Sequence, residues 1–322
     1  MLKQPGIILI FLIISASLCS GQGIDAGPGY QMVLINNPAL SGSDGNGVLR
    51  LSYLNLYPGN NYNFNSVYLS YDSYFPALHG GAGFYLSEDY LGGIINDLRG
   101  GLSYAYFLQA GADLFINAGL SASVFHRGFN FDKAVLPDQI DPLGGVSFPS
   151  SEILVNSGKT VFDLCAGFLF ISGKVSGGFS INHLAEPELS STTVSTESIK
   201  RKYFIHLTVD MNLNKSQNLK IQPLIFLGQQ GVYLSGGAGT AVESKHLAIN
   251  AVVLGDNGSN MNIQTGFSFK TGIVSVYYNY QFNVISSNSS LPLSLLHQVG
   301  LAFSLSNVEK RNTIKTINFP KL

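Results

Sequence analysis

Apolar and polar residues alternate along several stretches of the chain, which is the pattern of β-strands whose two faces meet different surroundings. Over residues 203–213 every odd position is apolar, whereas the even positions are mainly polar. Residues 98–109, 114–124 and 261–270 repeat this two-residue period, and no comparable stretch has apolar residues at helical spacing. The pattern predicts about fourteen strands. Their predicted spans are 47–57, 61–74, 80–88, 98–109, 112–126, 160–171, 173–183, 201–213, 217–229, 231–243, 245–255, 260–270, 272–283 and 295–305.

The lengths of the predicted connections follow strand parity. Connections after even-numbered strands are all short, and the long ones (89–97, 127–159, 184–200 and 284–294) follow odd-numbered strands. Short turns at one end and long loops at the other are typical of an outer-membrane barrel. Lipid also requires every backbone polar group to be paired, so strands span it only as a closed barrel.

The predicted fold class is therefore all-β: a transmembrane antiparallel β-barrel of about 14 strands, of the outer-membrane type. A secreted β-sandwich or solenoid is the alternative, and it gives no reason for loop length to follow strand parity.

The chain divides into four predicted segments. Residues 1–21 form a signal peptide, with Lys3 before a short apolar run. The turn-rich residues 22–46 form an N-terminal periplasmic lead-in or plug, and the barrel covers 47–306. Residues 307–322 form a basic tail that could add to the sheet edge of a partner. An even number of strands places both termini in the periplasm, with the barrel in a bacterial outer membrane.

Composition narrows the function classes. The chain has 322 residues, of which 45% are hydrophobic and only 11% charged, with a net charge of -1. Such apolar content excludes a disordered chain, and the near-zero charge argues against a nucleic-acid partner. Removal of the signal peptide leaves Cys165 as the single cysteine, so no internal disulfide is expected.

No residue pattern favours catalysis or metal binding. The six histidines lack zinc-ligand spacing. The nearest catalytic constellation is His206, Thr208 and Asp210 on one polar strand face, an arrangement that alternation produces by chance. We therefore expect no catalytic residue, no metal ligand and no cofactor, and a protein that is not an enzyme. A membrane-embedded hydrolase would need a nucleophile beside His206 or His183.

Short motifs along nearly the whole mature chain resemble the PorP/SprF family of outer-membrane proteins, and they occur in the family's order. The sequence departs from the family pattern at Gln298, where an acidic residue is common, and at Asn279-Tyr280-Gln281. The matching motifs are Asn37-Pro38-Ala39-Leu40-Ser41-Gly42, Ser70-Tyr71-Asp72, Gly80-Gly81-Ala82-Gly83-Phe84 with Asp89, Leu102-Ser103-Tyr104-Ala105-Tyr106, Phe162-Asp163 to Gly167, Gly177-Gly178-Phe179-Ser180, His183-Leu184 to Pro187, Tyr278-Asn279-Tyr280 and His297-Gln298-Val299-Gly300-Leu301.

The resemblance implies a non-catalytic role in the type IX secretion and gliding system of the Bacteroidetes. The protein would be a component of the machine, or a cargo-specific partner that helps to export or retain large surface proteins such as gliding adhesins. Its expected partners are outer-membrane lipid, type IX subunits of the periplasmic ring or core, and a large secreted cargo bound through its C-terminal domain. The motif positions expected to serve interaction or structure are Asn37, Pro38, Gly42, Asp72, His183, Pro187 and His297.

Within that interpretation the two ends of the barrel have different tasks. Loops 127–159 and 184–200 would face outward and meet cargo through aromatic anchors such as Phe129, Phe131 and Phe148. The same phenylalanines could instead pack the loop onto the barrel rim. Residues 22–46 and the tail would face the periplasmic machinery. The competing function is a transport barrel for lipid or small hydrophobic molecules, which requires an open or laterally gated lumen.

Overall fold

A computed structural model confirms the predicted fold class: the chain forms a closed antiparallel barrel of fourteen strands. The structure describes residues 32–58, 64–131, 135–141, 145–146, 149–150, 157–189, 198–213, 219–286 and 294–305. The strands are β1 (Gly47–Leu56), β2 (Phe64–Phe75), β3 (Gly80–Leu91), β4 (Ile95–Gln109), β5 (Leu114–Phe129), β6 (Ser157–Ser172), β7 (Val175–Asn182), β8 (Lys202–Val209), β9 (Leu219–Gln230), β10 (Tyr233–Ser244), β11 (Leu247–Asp256), β12 (Met261–Thr271), β13 (Val274–Ile285) and β14 (Ser294–Leu305).

Each strand pairs with the next along the chain, and the sheet closes when β1 pairs with β14. The closing register runs from Gly47 opposite Leu305 to Leu56 opposite Leu296. A two-residue strand, Met211–Asn212, continues β8 along β9. Closure leaves no free edge between the first and last strands, which is the condition for a sheet in lipid.

The predicted strands correspond one to one with the observed strands, and most boundaries shift by one to three residues. The predicted loop 89–97 is wrong as a long loop, because β3 continues to Leu91 and β4 begins at Ile95. The chain turns over Gly92 and Gly93, which both have positive φ and let two strands meet in a tight hairpin.

The two ends of the barrel differ, as the parity of the connections predicted. The turn end contains Gly47, Leu305 and the connections after even-numbered strands, of which 173–174, 245–246 and 272–273 have two residues each. The loop end contains Leu56 and the long connections 130–156, 183–201 and 286–293. Loop 127–159 is shorter than predicted, because residues 127–129 and 157–159 continue the β5–β6 ladder.

Inward and outward side chains alternate along the strands. On β4, Leu98 and Leu102 are 47% and 70% exposed on the outer face, whereas the inward Asp97 and Ser103 are 6% and 5% exposed. Large apolar side chains therefore cover the outside of the barrel, where lipid would contact them. Among the described residues, no helix has the length and apolarity needed to cross a membrane.

A chain of amide side chains lines the lumen from β11 to β1. The Asn250 amide donates to Asn279 Oδ1 (3.2 Å), and the Asn279 amide donates to Gln298 Oε1 (3.1 Å). The Gln298 amide then donates to the Ser52 hydroxyl (3.1 Å). Asn279 and Gln298 belong to the stretches that depart from the family pattern, and here they serve one hydrogen-bonded network.

Candidate functional site

Residues 32–44, called the luminal segment below, fold inside the barrel. They contain a short helix, α1 (Val33–Asn36), followed by a 3-10 turn, Pro38–Leu40. Pro38 begins the turn, where a missing N–H costs nothing, and the Asn37 side chain caps it by accepting from the Ala39 N–H (2.9 Å). Sequence periodicity did not predict α1, because four residues are too few to show a helical period.

The luminal segment runs from the loop end to the turn end. Met32 packs against a cluster formed by Leu54, Leu295 and Leu296, which lie near the loop end of β1 and β14. Gly42, ten residues later, donates its N–H to Asp72 Oδ2 (2.7 Å) near the turn end of β2. The segment therefore lies along the lumen, between the two mouths.

Three wall glycines let the strands approach the luminal segment closely, two of them at its backbone and one at the Asn37 side chain. A Cβ on Gly81 of β3 would lie 1.8 Å from the Ser41 carbonyl oxygen. On Gly119 of β5 it would lie 2.2 Å from the Ala39 nitrogen, and on Gly167 of β6 it would lie 2.0 Å from Asn37 Oδ1. These distances exclude any side chain at Gly81 and Gly119 while the segment is bound, and at Gly167 a side chain would have to displace the Asn37 amide. The three glycines are called the glycine cradle below.

Side-chain hydrogen bonds add to the cradle. The Asn37 amide donates to the Phe168 carbonyl (3.2 Å), and the Ser180 hydroxyl donates to the Asn36 carbonyl (2.6 Å). The Ser41 hydroxyl bonds to the Ser103 hydroxyl (2.8 Å). The wall thus bonds the Asn37 amide, the Asn36 carbonyl and the Ser41 hydroxyl, as buried polar groups require.

A buried ion cluster holds the segment where it leaves the lumen. The guanidinium of Arg50 on β1 pairs with both Asp72 and Asp44. Asp72 is 1% exposed, and it also accepts the Gly42 N–H described above. A single carboxylate therefore joins β1, β2 and the luminal segment. We call Arg50, Asp72 and Asp44 the clamp.

Four of the predicted motif residues meet at this site: Asn37, Pro38, Gly42 and Asp72. Sequence reasoning did not identify the cradle or Arg50 as members. A glycine inside a strand often marks the close approach of another backbone. The strand glycines therefore indicate a contact, but they do not indicate which segment makes it. Residues 22–46 are expected from the sequence to face the periplasmic machinery, whereas in the structure residues 37–42 are buried against the barrel wall.

The other motif residues lie elsewhere. His183 Nδ1 is 2.7 Å from Asp163 Oδ2 inside the barrel, and His183 has a positive φ of 59°. Pro187 accepts the Ile199 N–H (3.0 Å) at the base of the loop between β7 and β8. His297 is on β14, where its Nδ1 is 2.6 Å from the Tyr278 hydroxyl.

Two of the predicted loop aromatics contact each other. The rings of Phe129 and Phe131 stack with centroids 6.0 Å apart and planes 8° apart, and both are half-buried. Phe148 lies outside the described residues, as do the signal peptide and the tail 307–322. Whether these aromatics bind cargo stays a prediction.

The polar triplet on β8 and the residues after it has separate partners. The Thr208 hydroxyl bonds to Ser176 (2.7 Å), and Asp210 accepts from the Gln222 amide (2.6 Å). The Thr208 hydroxyl and the Asp210 carboxylate thus each bond to a residue other than His206. Across the ranges that the structure describes, no three His, Cys, Asp or Glu side chains converge on a possible metal position.

Comparison with known proteins gives one match by family and several by fold. A family model described as "Type IX secretion system membrane protein PorP/SprF" matches residues 30–303. Comparison with curated proteins gave no match.

Among solved structures, the toluene transporter TodX of P. putida is 11% identical, with a TM-score of 0.51 over 87% of this chain and 95% of that chain. A FadL homologue of Pseudomonas aeruginosa is 11% identical, with a TM-score of 0.45 over 84% and 93%. Omp33 of Acinetobacter baumannii is 10% identical, with a TM-score of 0.43 over 82% and 100%. At such identities the likeness to TodX concerns the fold alone.

Proposed function

Because this chain belongs to the PorP/SprF family of type IX secretion system membrane proteins, we propose that it is a non-catalytic outer-membrane partner of that system. In this role it helps to export large surface proteins, such as gliding adhesins, or to retain them at the cell surface. Family membership implies involvement in type IX secretion, and the barrel fold fits the outer membrane.

The observation that carries the proposal is the docked luminal segment. A polypeptide that crossed the membrane through this barrel would have to displace Asn37 to Gly42 from the glycine cradle and from the clamp. Those contacts involve backbone atoms and a buried ion pair, whose disruption is costly. A barrel that keeps its own chain in the lumen is better suited to act through its two ends.

The two ends offer different surfaces. In outer-membrane barrels long loops face outward and short turns face the periplasm. On that orientation the loop end meets the exported protein, through connections such as 130–156 and 183–201. The turn end meets the periplasmic ring or core, with residues 307–322 as the candidate contact. The cargo's C-terminal domain is the part proposed to bind.

The test is a quantitative comparison of surface and culture-fluid proteins with and without this gene. We expect the loss of one or a few large surface proteins, which identifies a cargo-dedicated partner. Loss of the whole exported set would instead indicate a component of the core machine. Complementation with the unaltered gene must restore the lost proteins.

If neither fraction changes, the secretion proposal is wrong. Uptake assays with lipids and small hydrophobic molecules then become the informative measurement, because a transport barrel predicts uptake that fails without the protein.

A further inference from the structure

The rim at the loop end has an abrupt step between β6 and β7. β6 pairs with β5 along its whole length, whereas the ladder between β6 and β7 begins only at Ala166 because β7 ends at Asn182. One further backbone bond joins the Leu184 N–H to the Leu164 carbonyl (2.9 Å). Within the described ranges, residues 157–163 therefore have a neighbouring strand on one side only.

The direction of the free backbone groups follows from Leu164. The N–H and C=O of one residue in an antiparallel strand point to the same side, and the side alternates along the strand. Since the Leu164 carbonyl points towards β7, the backbone groups of Gly158, Thr160 and Phe162 point the same way. None of these three forms a backbone bond on that side with any residue that the structure describes. Three backbone N–H donors and three backbone carbonyl acceptors of β6 thus point towards the side on which β7 has already ended.

This stretch is accessible. Gly158 and Thr160 are exposed, and the Phe162 ring is 57% exposed. The seven residues 157–163 extend over about 20 Å at the normal rise of a strand. They contain no proline, the residue that commonly blocks pairing at exposed edges. We call residues 157–163 the free edge of β6.

We propose that the free edge of β6 binds an extended segment of the exported partner protein, which adds to the sheet as one more strand. The inference rests on the proposed function for the source of this segment. Strand addition draws its affinity from main-chain hydrogen bonds and its specificity from alternate side chains. The partner segment has an aromatic or β-branched residue beside Phe162 on the outer face.

A segment of this same chain is the competing occupant. Residues 190–197 lie outside the described ranges and follow Leu189 directly in the loop between β7 and β8. They include three threonines and a valine, which favour strands. The first experiment separates the two occupants.

That experiment is residue-resolved amide hydrogen exchange on the purified full-length protein in detergent micelles. The amides of Gly158, Thr160 and Phe162 are expected to exchange about a hundredfold faster than those of Lys159 and Val161, which are bonded to β5. Slow exchange at all five positions would mean that the chain covers its own edge, and it would overturn the proposal.

The second experiment removes one free donor. The Thr160 N–H points away from β5, so Thr160→Pro keeps the β5 ladder, and proline is tolerated at such edge positions. Thr160→Val is the matched control, because it keeps the N–H and loses only the hydroxyl bond to His126 Nδ1 (2.8 Å). Each variant is expressed in the strain from which the gene has been deleted. Heat-modifiable migration verifies that each barrel is folded.

We expect Thr160→Pro to reduce the surface level of the dependent protein by about tenfold, while Thr160→Val leaves it unchanged. Equal levels in the two folded variants would overturn the strand-addition site and leave the secretion role intact. If deletion of the gene changes no surface or culture-fluid protein, the proposed function itself is wrong, and so is the exported partner that it implies.

Discussion

A Cβ atom on Gly119 would lie 2.2 Å from the backbone nitrogen of Ala39, so the wall of the barrel and the luminal segment touch at the level of their main chains. Neither backbone can move aside as the end of a flexible side chain would. The two residues are 80 positions apart in sequence.

Gly119→Ala should displace the luminal segment while leaving the strands paired. The added methyl overlaps a backbone atom, and overpacking of this kind costs about 1–3 kcal/mol, which is sufficient to weaken docking. We expect larger and more frequent openings of single barrels in planar lipid bilayers than for the unaltered protein. Conductance recordings provide the measurement.

Gly228→Ala is the matched control for this experiment. Gly228 is also a strand glycine, on β9, but the nearest atoms to its added Cβ are 3.6 Å away, which is ordinary contact. Its conductance should equal that of the unaltered barrel. Equal conductance for Gly119→Ala and Gly228→Ala would mean that the segment does not close the lumen.

The clamp should contribute strongly to stability. Asp72→Ala leaves Arg50 buried with Asp44 as its remaining carboxylate and leaves the Gly42 N–H without its acceptor. Removal of one partner of a buried ion pair costs about 3–5 kcal/mol. We expect a loss of that size in the free energy of unfolding, measured by urea denaturation in micelles.

The exposed pair of Arg201 and Glu186 is the control, with Nε and Oε1 3.8 Å apart. Arg201→Gln should cost less than about 1 kcal/mol, because solvent screens such pairs. The double variant Arg50→Met with Asp72→Leu should recover part of the loss, since it removes both buried charges together. If Asp72→Ala is as mild as Arg201→Gln, the clamp does not stabilise the barrel.

Sequence patterns predicted the strands well and the site only in part. Strand spans depend on a local two-residue period, so even β13 and β14 could be placed within a few residues. The luminal contacts depend on which glycine faces which segment after closure, and no local pattern encodes that pairing. The step between β6 and β7 likewise arises from the stagger of strands in a tilted barrel.

His183 provides a test of backbone conformation beside a buried hydrogen bond. Its φ of 59° lies in the left-handed region, which glycine adopts freely and alanine does not. Neither His183→Gly nor His183→Ala has a side-chain donor for Asp163, so both lose the 2.7 Å contact and their difference reports on the backbone. His183→Ala should be less stable than His183→Gly by about 1 kcal/mol. Equal unfolding free energies would contradict a left-handed residue at this position.

The direction of the luminal segment leads to a prediction about topology. Met32 packs against Leu54 and Leu295 near the loop end, whereas β14 finishes with Leu305 at the turn end, opposite Gly47. The chain before Met32 should therefore approach the lumen from the loop end. This departs from the expectation, based on strand number alone, that both termini are periplasmic.

An epitope tag inserted after Gln22 should then be stained by antibody on intact cells, because loops of outer-membrane barrels face outward. A tag after Leu322 is the control, and it should be stained only after the outer membrane is permeabilised. Both tagged proteins must show the heat-modifiable migration of a folded barrel. Staining of the Gln22 tag only in permeabilised cells would place the N-terminal residues in the periplasm and would contradict a segment that enters from the loop end.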